Sequence, residues 1–115
     1  MIPKGATVAT ALTDLLDSIA KCDRIHIEDT KKNRLTRIRL GMSVVDQENI
    51  VRNLRGRDFV TGPVADTNPL YPGMLWIFKV HYYHDILYVK VREVEYELDG
   101  SVCKALSCHI DNIAV

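Results

Sequence analysis

Apolar residues recur at Val8, Leu12, Leu15, Leu16 and Ile19. That spacing draws one stripe along a helix and predicts one over about Thr7–Lys21, with Asp14 and Asp17 facing away. Arg24 to Glu28 then alternates polar and apolar, which predicts a short strand at a sheet edge, with His26 as a surface residue of it. Asp29 or Thr30 is placed to cap a basic helix running to Leu40, although Asn33, Thr36 and Ile38 are weak helix formers. Gly41 breaks that pattern. Ser43, with Asp46 three residues on, resembles a capping box opening a helix that carries Val44, Ile50, Val51 and Leu54 to about Arg55, where Gly56 stops it.

From Asp58 to Gly73 the chain holds Gly62, Pro63, Asn68, Pro69, Pro72 and Gly73. Such density argues against a helix and most strands, and predicts a long loop. Strands are expected over about Met74–Tyr83, Ile86–Leu98 and Ser101–Ile110, joined by turns at His84-Asp85 and Asp99-Gly100. Their alternation sets Trp76, Phe78, Val80, Tyr82, Leu87, Val89, Val91, Leu106, Cys108 and Ile110 on one face, which a helix would cover. The expected architecture is one α+β domain of 115 residues: about 1–57 mainly helical, 58–73 loop and 74–110 sheet, with the N-terminal helices packed on one face of a C-terminal antiparallel sheet.

The opposite face carries Lys79, His81, Tyr88, Lys90, Arg92, Ser107 and His109. With two-residue turns, Lys90 falls between Lys79 and His109, Tyr88 opposite His81, and Arg92 opposite Ser107. Two paired lysines repel unless an anion lies between them, and phosphate suits that place. His109 and His81 move protons near neutral pH. Tyr88 donates a hydrogen bond, or acts as an acid if neighbouring cations lower its pKa. The bland alternative is an ordinary solvated sheet face. No carboxylate pair or metal-ligand cluster falls on this face, so no metal or cofactor is expected. The pattern suits acid–base chemistry on RNA, whose own 2′-hydroxyl is the nucleophile.

Charge adds a local asymmetry to a balanced total. Lys+Arg and Asp+Glu number 15 each, which argues against capture of nucleic acid by net charge. Between Lys31 and Arg57, however, eight basic residues stand against Asp46 and Glu48 alone. That run is either a solvated surface or a phosphate-contacting flank, in which Arg55 and Arg57 would hold RNA with Arg92 and Ser107. Cys22, Cys103 and Cys108 form no disulfide or zinc pattern, so reduced thiols and a cytoplasmic location are expected. The N-terminus lacks a signal-peptide pattern and no apolar run suggests a membrane span.

The runs Leu40-Gly41-Met42-Ser43 and Asp58-Phe59 resemble the leucine-glycine turn and Asp-Phe-Tyr-Lys signature of MqsR-type toxins, which are bacterial mRNA interferases. Leu75-Trp76-Ile77-Phe78-Lys79, Leu87-Tyr88-Val89-Lys90 and Leu106-Ser107-Cys108-His109 are similar to that family's Trp-containing strand, Tyr-x-Lys strand and Ser-Phe-Lys/His end. The resemblance spans roughly residues 30–110. It implies a RelE-like fold, metal-independent cleavage of an mRNA substrate and neutralisation by a cognate antitoxin protein. Tyr88 falls on the family's catalytic Tyr, Lys90 on its companion Lys and His109 on the terminal Lys/His position. Lys79 is a looser match. Val60-Thr61 stands where the family has Tyr-Lys, and Cys108 where it has an aromatic residue. Those departures, with zero net charge, keep a second expectation open: a non-catalytic protein-binding module, either a degenerate toxin or an immunity or antitoxin-like partner, docking through Tyr82, Tyr83 and the Pro-rich loop. A third is a small-molecule domain with that loop as a lid.

Overall fold

The computed structural model describes residues 7–65, 67, 73–93, 95–97 and 100–114. The elements run α1 (Val8–Lys21), β1 (Arg24–Ile27), α2 (Lys31–Leu40), α3 (Val44–Arg52), a short 3-10 turn (Gly56–Asp58), β2 (Phe59–Ala65), β3 (Met74–Tyr82), β4 (Asp85–Arg92), β5 (Glu95–Glu97) and β6 (Gly100–Ile110). The fold is α+β. The strands form one mixed sheet in the order β1-β6-β4-β3-β2, with β5 pairing β6.

The helix starts follow the sequence signals. The Thr7 side chain caps α1, Thr30 rather than Asp29 caps α2, and Ser43 with Asp46 forms a reciprocal capping box on α3. Gly41 closes α2 with φ 62°, a left-handed conformation that glycine adopts without strain. α3 ends at Arg52, short of the expected Arg55, and Gly56 opens the 3-10 turn instead of stopping a helix.

Three expectations about the sheet are corrected. It is mixed rather than antiparallel, because β1 runs parallel to β6, as an edge strand. Residues 59–65 form a strand, not a loop. Proline is compatible with a sheet at an edge, and β2 is the far edge strand, irregular around a cis Gly62–Pro63 peptide, with two register shifts against β3. The expected strand Ile86–Leu98 is divided between β4 and β5, and Gly100 already belongs to β6. Leu98 and Asp99, like residues 66 and 68–72 of the Pro-rich segment, lie outside the described residues.

The core joins Leu15 and Ile19 of α1, Val51 of α3 and Ile25 and Ile27 of β1 to Trp76, Phe78, Leu87, Val89, Val91 and Cys108 of the sheet. Val80, Tyr82 and Ile110 pack against it, as the alternation requires. Leu106 does not join. It is the extra residue of a bulge between the pairs Lys90/Ser107 and Val91/Ala105, so Ala105 and Cys103 reach the core in its place. Among the described residues no helix is long and apolar enough to cross a membrane.

α2 plays an unusual part in this frame. β1 pairs β6 only from Val102 to Ala105, leaving the β6 edge beyond Ala105 without a strand neighbour on that side among the described residues. Polar side chains complete it. Asn33 Oδ1 accepts from the Cys108 N–H at 2.9 Å, Thr36 Oγ1 accepts from the Ile110 N–H at 2.9 Å, and Gln47 Nε2 donates to the Cys108 carbonyl at 2.8 Å. All three side chains are fully buried. Asn33 and Thr36, two of the residues that weaken α2 as a helix, are therefore the ones that hold it to the sheet edge.

Candidate functional site

The polar face keeps its expected membership but not its expected pairing. The β3–β4 turn falls at Tyr83-His84, one position earlier than expected, with Tyr83 at φ 54°. Every pair shifts by two residues, so the parity, and hence the face, is unchanged. Lys79 now faces Tyr88, and Tyr88 faces His109 on β6. Lys90 lies between Ile77 and Ser107, His81 pairs with Ile86, and Arg92 pairs with Leu75. Tyr88, not Lys90, is the centre of the row.

Tyr88 and His109 are stacked, with ring centroids 5.4 Å apart and planes 25° from parallel. The His109 Nδ1 lies 2.9 Å from the Ile110 carbonyl oxygen. A carbonyl only accepts, so this contact assigns the proton of the neutral ring to Nδ1 and leaves Nε2 with a lone pair. Lys79 Nζ reaches the Asp111 carboxylate at 3.1 Å. Burial pushes the Tyr88 phenol above its ordinary pKa, and the Asp111 charge pushes it the same way, against the opposing pull of Lys79. The lowered pKa considered from sequence is thus reversed, and Tyr88 stays a protonated donor at neutral pH.

A concavity of about 600 Å³ opens over this row, lined by Tyr88, Lys90, Ser107, His109, Asp111 and Asn112 from the sheet end and by Thr30, Lys31 and Lys32 from α2. The first turn of α2 has no acidic residue and carries two lysines, a placement that opposes the helix dipole and is relieved by an anion in front of it. Composition flagged Lys31 and Lys32 as part of the basic run, but nothing in the sequence tied them to this pocket. Asp111 was missed because it lies one residue past the last strand.

Lys79, His81, Arg55 and Arg57 line a separate depression of about 560 Å³ with Asn53, Asp58, Phe59 and Val60. Arg92 lies further along the β4 row, buried. The expected residues therefore divide: Tyr88, Lys90, Ser107 and His109 share one pocket, Lys79, His81, Arg55 and Arg57 another, and the Lys79–Asp111 pair spans the join.

Among the described residues, no group of three or more His, Cys, Asp or Glu is placed to hold a metal ion. The three cysteines are buried and unpaired. Burial raises the Cys103 and Cys108 thiols to about 12, so neither is a nucleophile at neutral pH. No family model, curated protein or solved structure matches this chain.

Proposed function

We propose that this chain is a small endoribonuclease that cuts mRNA without a metal: the toxin of a cytoplasmic toxin–antitoxin pair, on a RelE-like frame. The carrying observation is the row in which Tyr88 sits between Lys79 and His109 with its ring stacked on His109. An acid and a base adjacent to each other, beside lysines, supply what cleavage of RNA by its own 2′-hydroxyl requires.

In this reading His109 Nε2 takes the proton of the 2′-hydroxyl. The freed oxygen attacks the neighbouring phosphorus as the bond to the 5′ oxygen breaks. Tyr88 gives its proton to that leaving oxygen, and its raised pKa keeps the proton in place until then. Lys90, with Lys31 and Lys32 across the pocket, balances the charge that builds on the phosphate oxygens. The products are a 2′,3′-cyclic phosphate and a 5′-hydroxyl. The resemblance of Leu87-Tyr88-Val89-Lys90 to the MqsR Tyr-x-Lys strand supports the same assignment.

Purified protein incubated with mRNA and excess EDTA is expected to produce cyclic-phosphate ends. His109→Gln and Tyr88→Phe should each slow cleavage by about 10²–10⁴-fold, and Lys90→Ala should slow it as well. Absence of cleavage, or variants that cut as fast as wild type, ends this reading.

The Lys79–Asp111 pair and Thr61 in place of a family lysine favour a second reading, a non-catalytic protein-binding module. Induced expression separates the two: growth arrest that His109→Gln abolishes supports the toxin, whereas a tight partner complex without arrest supports the module.

A further inference from the structure

We infer that the depression lined by Arg55, Arg57, Lys79 and His81 is a second phosphate subsite, so that the face binds a single-stranded polynucleotide across both depressions rather than one nucleotide. The inference rests on the proposed nuclease reading and names its substrate class.

Three observations carry it. First, the two depressions meet at one ion pair: Lys79 lines one, Asp111 lines the other, and their charged atoms are 3.1 Å apart. The Asp111 carboxylate stands where a bridging phosphate would meet Lys79, and a phosphate arriving there exchanges one anion for another. Second, Arg55 and Arg57 are exposed and have no ion-pair partner among the described residues. Asp58, the one carboxylate among the described residues lining this depression, accepts from the Arg55 backbone N–H at 2.9 Å, which leaves both guanidinium groups free to fork onto phosphate. Third, the depression has an apolar side. Phe59 is partly exposed, held by ring contacts to Trp76 and Phe78, and Val60 is 47% exposed beside it. Cations next to a fixed aromatic ring suit a base followed by its phosphate, the repeating chemistry of a single strand. A volume of about 560 Å³ lies within the range of small-ligand sites.

The test uses the full chain with a fluorescent twelve-residue oligothymidylate, which lacks the 2′-hydroxyl and is not cut, and with thymidine 5′-monophosphate. The Arg55→Ala/Arg57→Ala double variant should lose at least tenfold more affinity for the oligomer than for the monophosphate. Its slope of log affinity against log salt should fall by about 1.4, or ~0.7 for each lost phosphate contact. Both residues are exposed, so circular dichroism is expected to match wild type. An oligomer that does not bind, or that binds the double variant with unchanged affinity and slope, overturns the inference. So does its displacement by poly-L-glutamate at equal charge concentration, which would mark an acidic-protein docking face. If the oligomer binds as expected while RNA is not cut, the subsite stands and the cleavage reading falls. If RNA is cut but the double variant keeps the wild-type preference for long substrates over a dinucleotide, the reverse holds.

Discussion

Asn33→Ala should be among the most damaging single changes to a polar residue here. In the native protein the Asn33 side chain accepts from the Cys108 N–H at 2.9 Å and donates to the Glu28 carbonyl at 2.8 Å, with a longer 3.4 Å contact to the Leu106 carbonyl. Its side chain is fully buried, so no water takes over the Cys108 N–H when the amide is removed. A buried donor left without a partner costs about 1–3 kcal/mol, and the lost bond to Glu28 adds ~0.5–1.5 kcal/mol. The expected total is about 2–4 kcal/mol, a large part of a small domain's stability. Arg34→Ala is the matched control. Arg34 makes the shorter contact, 2.7 Å to Asp29, but that carboxylate side chain is 78% exposed and water replaces the pair readily. Its loss should leave the urea midpoint nearly unchanged. Urea unfolding of both variants at neutral pH, with a shared m-value, reads the difference. Amide exchange at Cys108 should accelerate in Asn33→Ala alone. Equal destabilisation by the two variants, or an unchanged Cys108 amide, would refute the idea that α2 completes the sheet edge.

Asp111→Asn frees Lys79 and should tighten oligothymidylate binding about twofold to fivefold, the worth of a half-exposed ion pair. The same change should lower the Tyr88 pKa, since Asp111 raises it; carbon NMR of the tyrosine ring measures that titration. Cys103 and Cys108 ionise near pH 12 when folded, well above the ordinary thiol value. Above about pH 9 the unfolded chain then binds fewer protons than the folded one, so stability should fall by up to ~1.4 kcal/mol per pH unit for each thiol. Thermal unfolding between pH 8 and 11 tests this, and Cys108→Ala should reduce the slope by one proton. Gly62→Ala should destabilise by about 1–3 kcal/mol, because φ is 142° and a Cβ would lie 3.0 Å from the Leu75 carbonyl oxygen. An unchanged melting temperature in this variant would refute that steric account.

Much of the frame was legible because one local rule governs each feature. Ser43 and Asp46 mark a helix start through reciprocal hydrogen bonds within four residues. The faces of β3 and β4 follow from strict alternation, which survives a two-residue slip. β2 was not legible, since Gly62 and Pro63 argue against a strand unless the segment's place at a sheet edge is known. The bulge at Leu106 and the partnership of Asn33, Thr36 and Gln47 with β6 were hidden for the same reason. The bulge depends on the β4–β6 register and the partnership on where β1 stops pairing, both properties of the assembled sheet rather than of any short window.

The slip matters more to chemistry than to fold. Shifting β3 against β4 by two residues keeps every core side chain inside and leaves burial nearly unchanged. It nevertheless replaces a Lys79–Lys90 pair with a Lys79–Tyr88 pair. The first arrangement needs an anion to suppress repulsion. The second, with Asp111 on Lys79, is neutral and stable when empty. The β4–β6 register acts in the same direction by bringing His109 beside Tyr88 and leaving Lys90 next to Ser107. Tyr88 and His109, the proposed acid and base, are thereby brought together at the centre, with Lys79 and Lys90 on either side. The α2 contacts at Cys108 and Ile110 bracket His109, so the side chains that complete the sheet edge also fix the base on which the proposed reaction depends. Loss of Asn33 should therefore disturb the site as well as the fold.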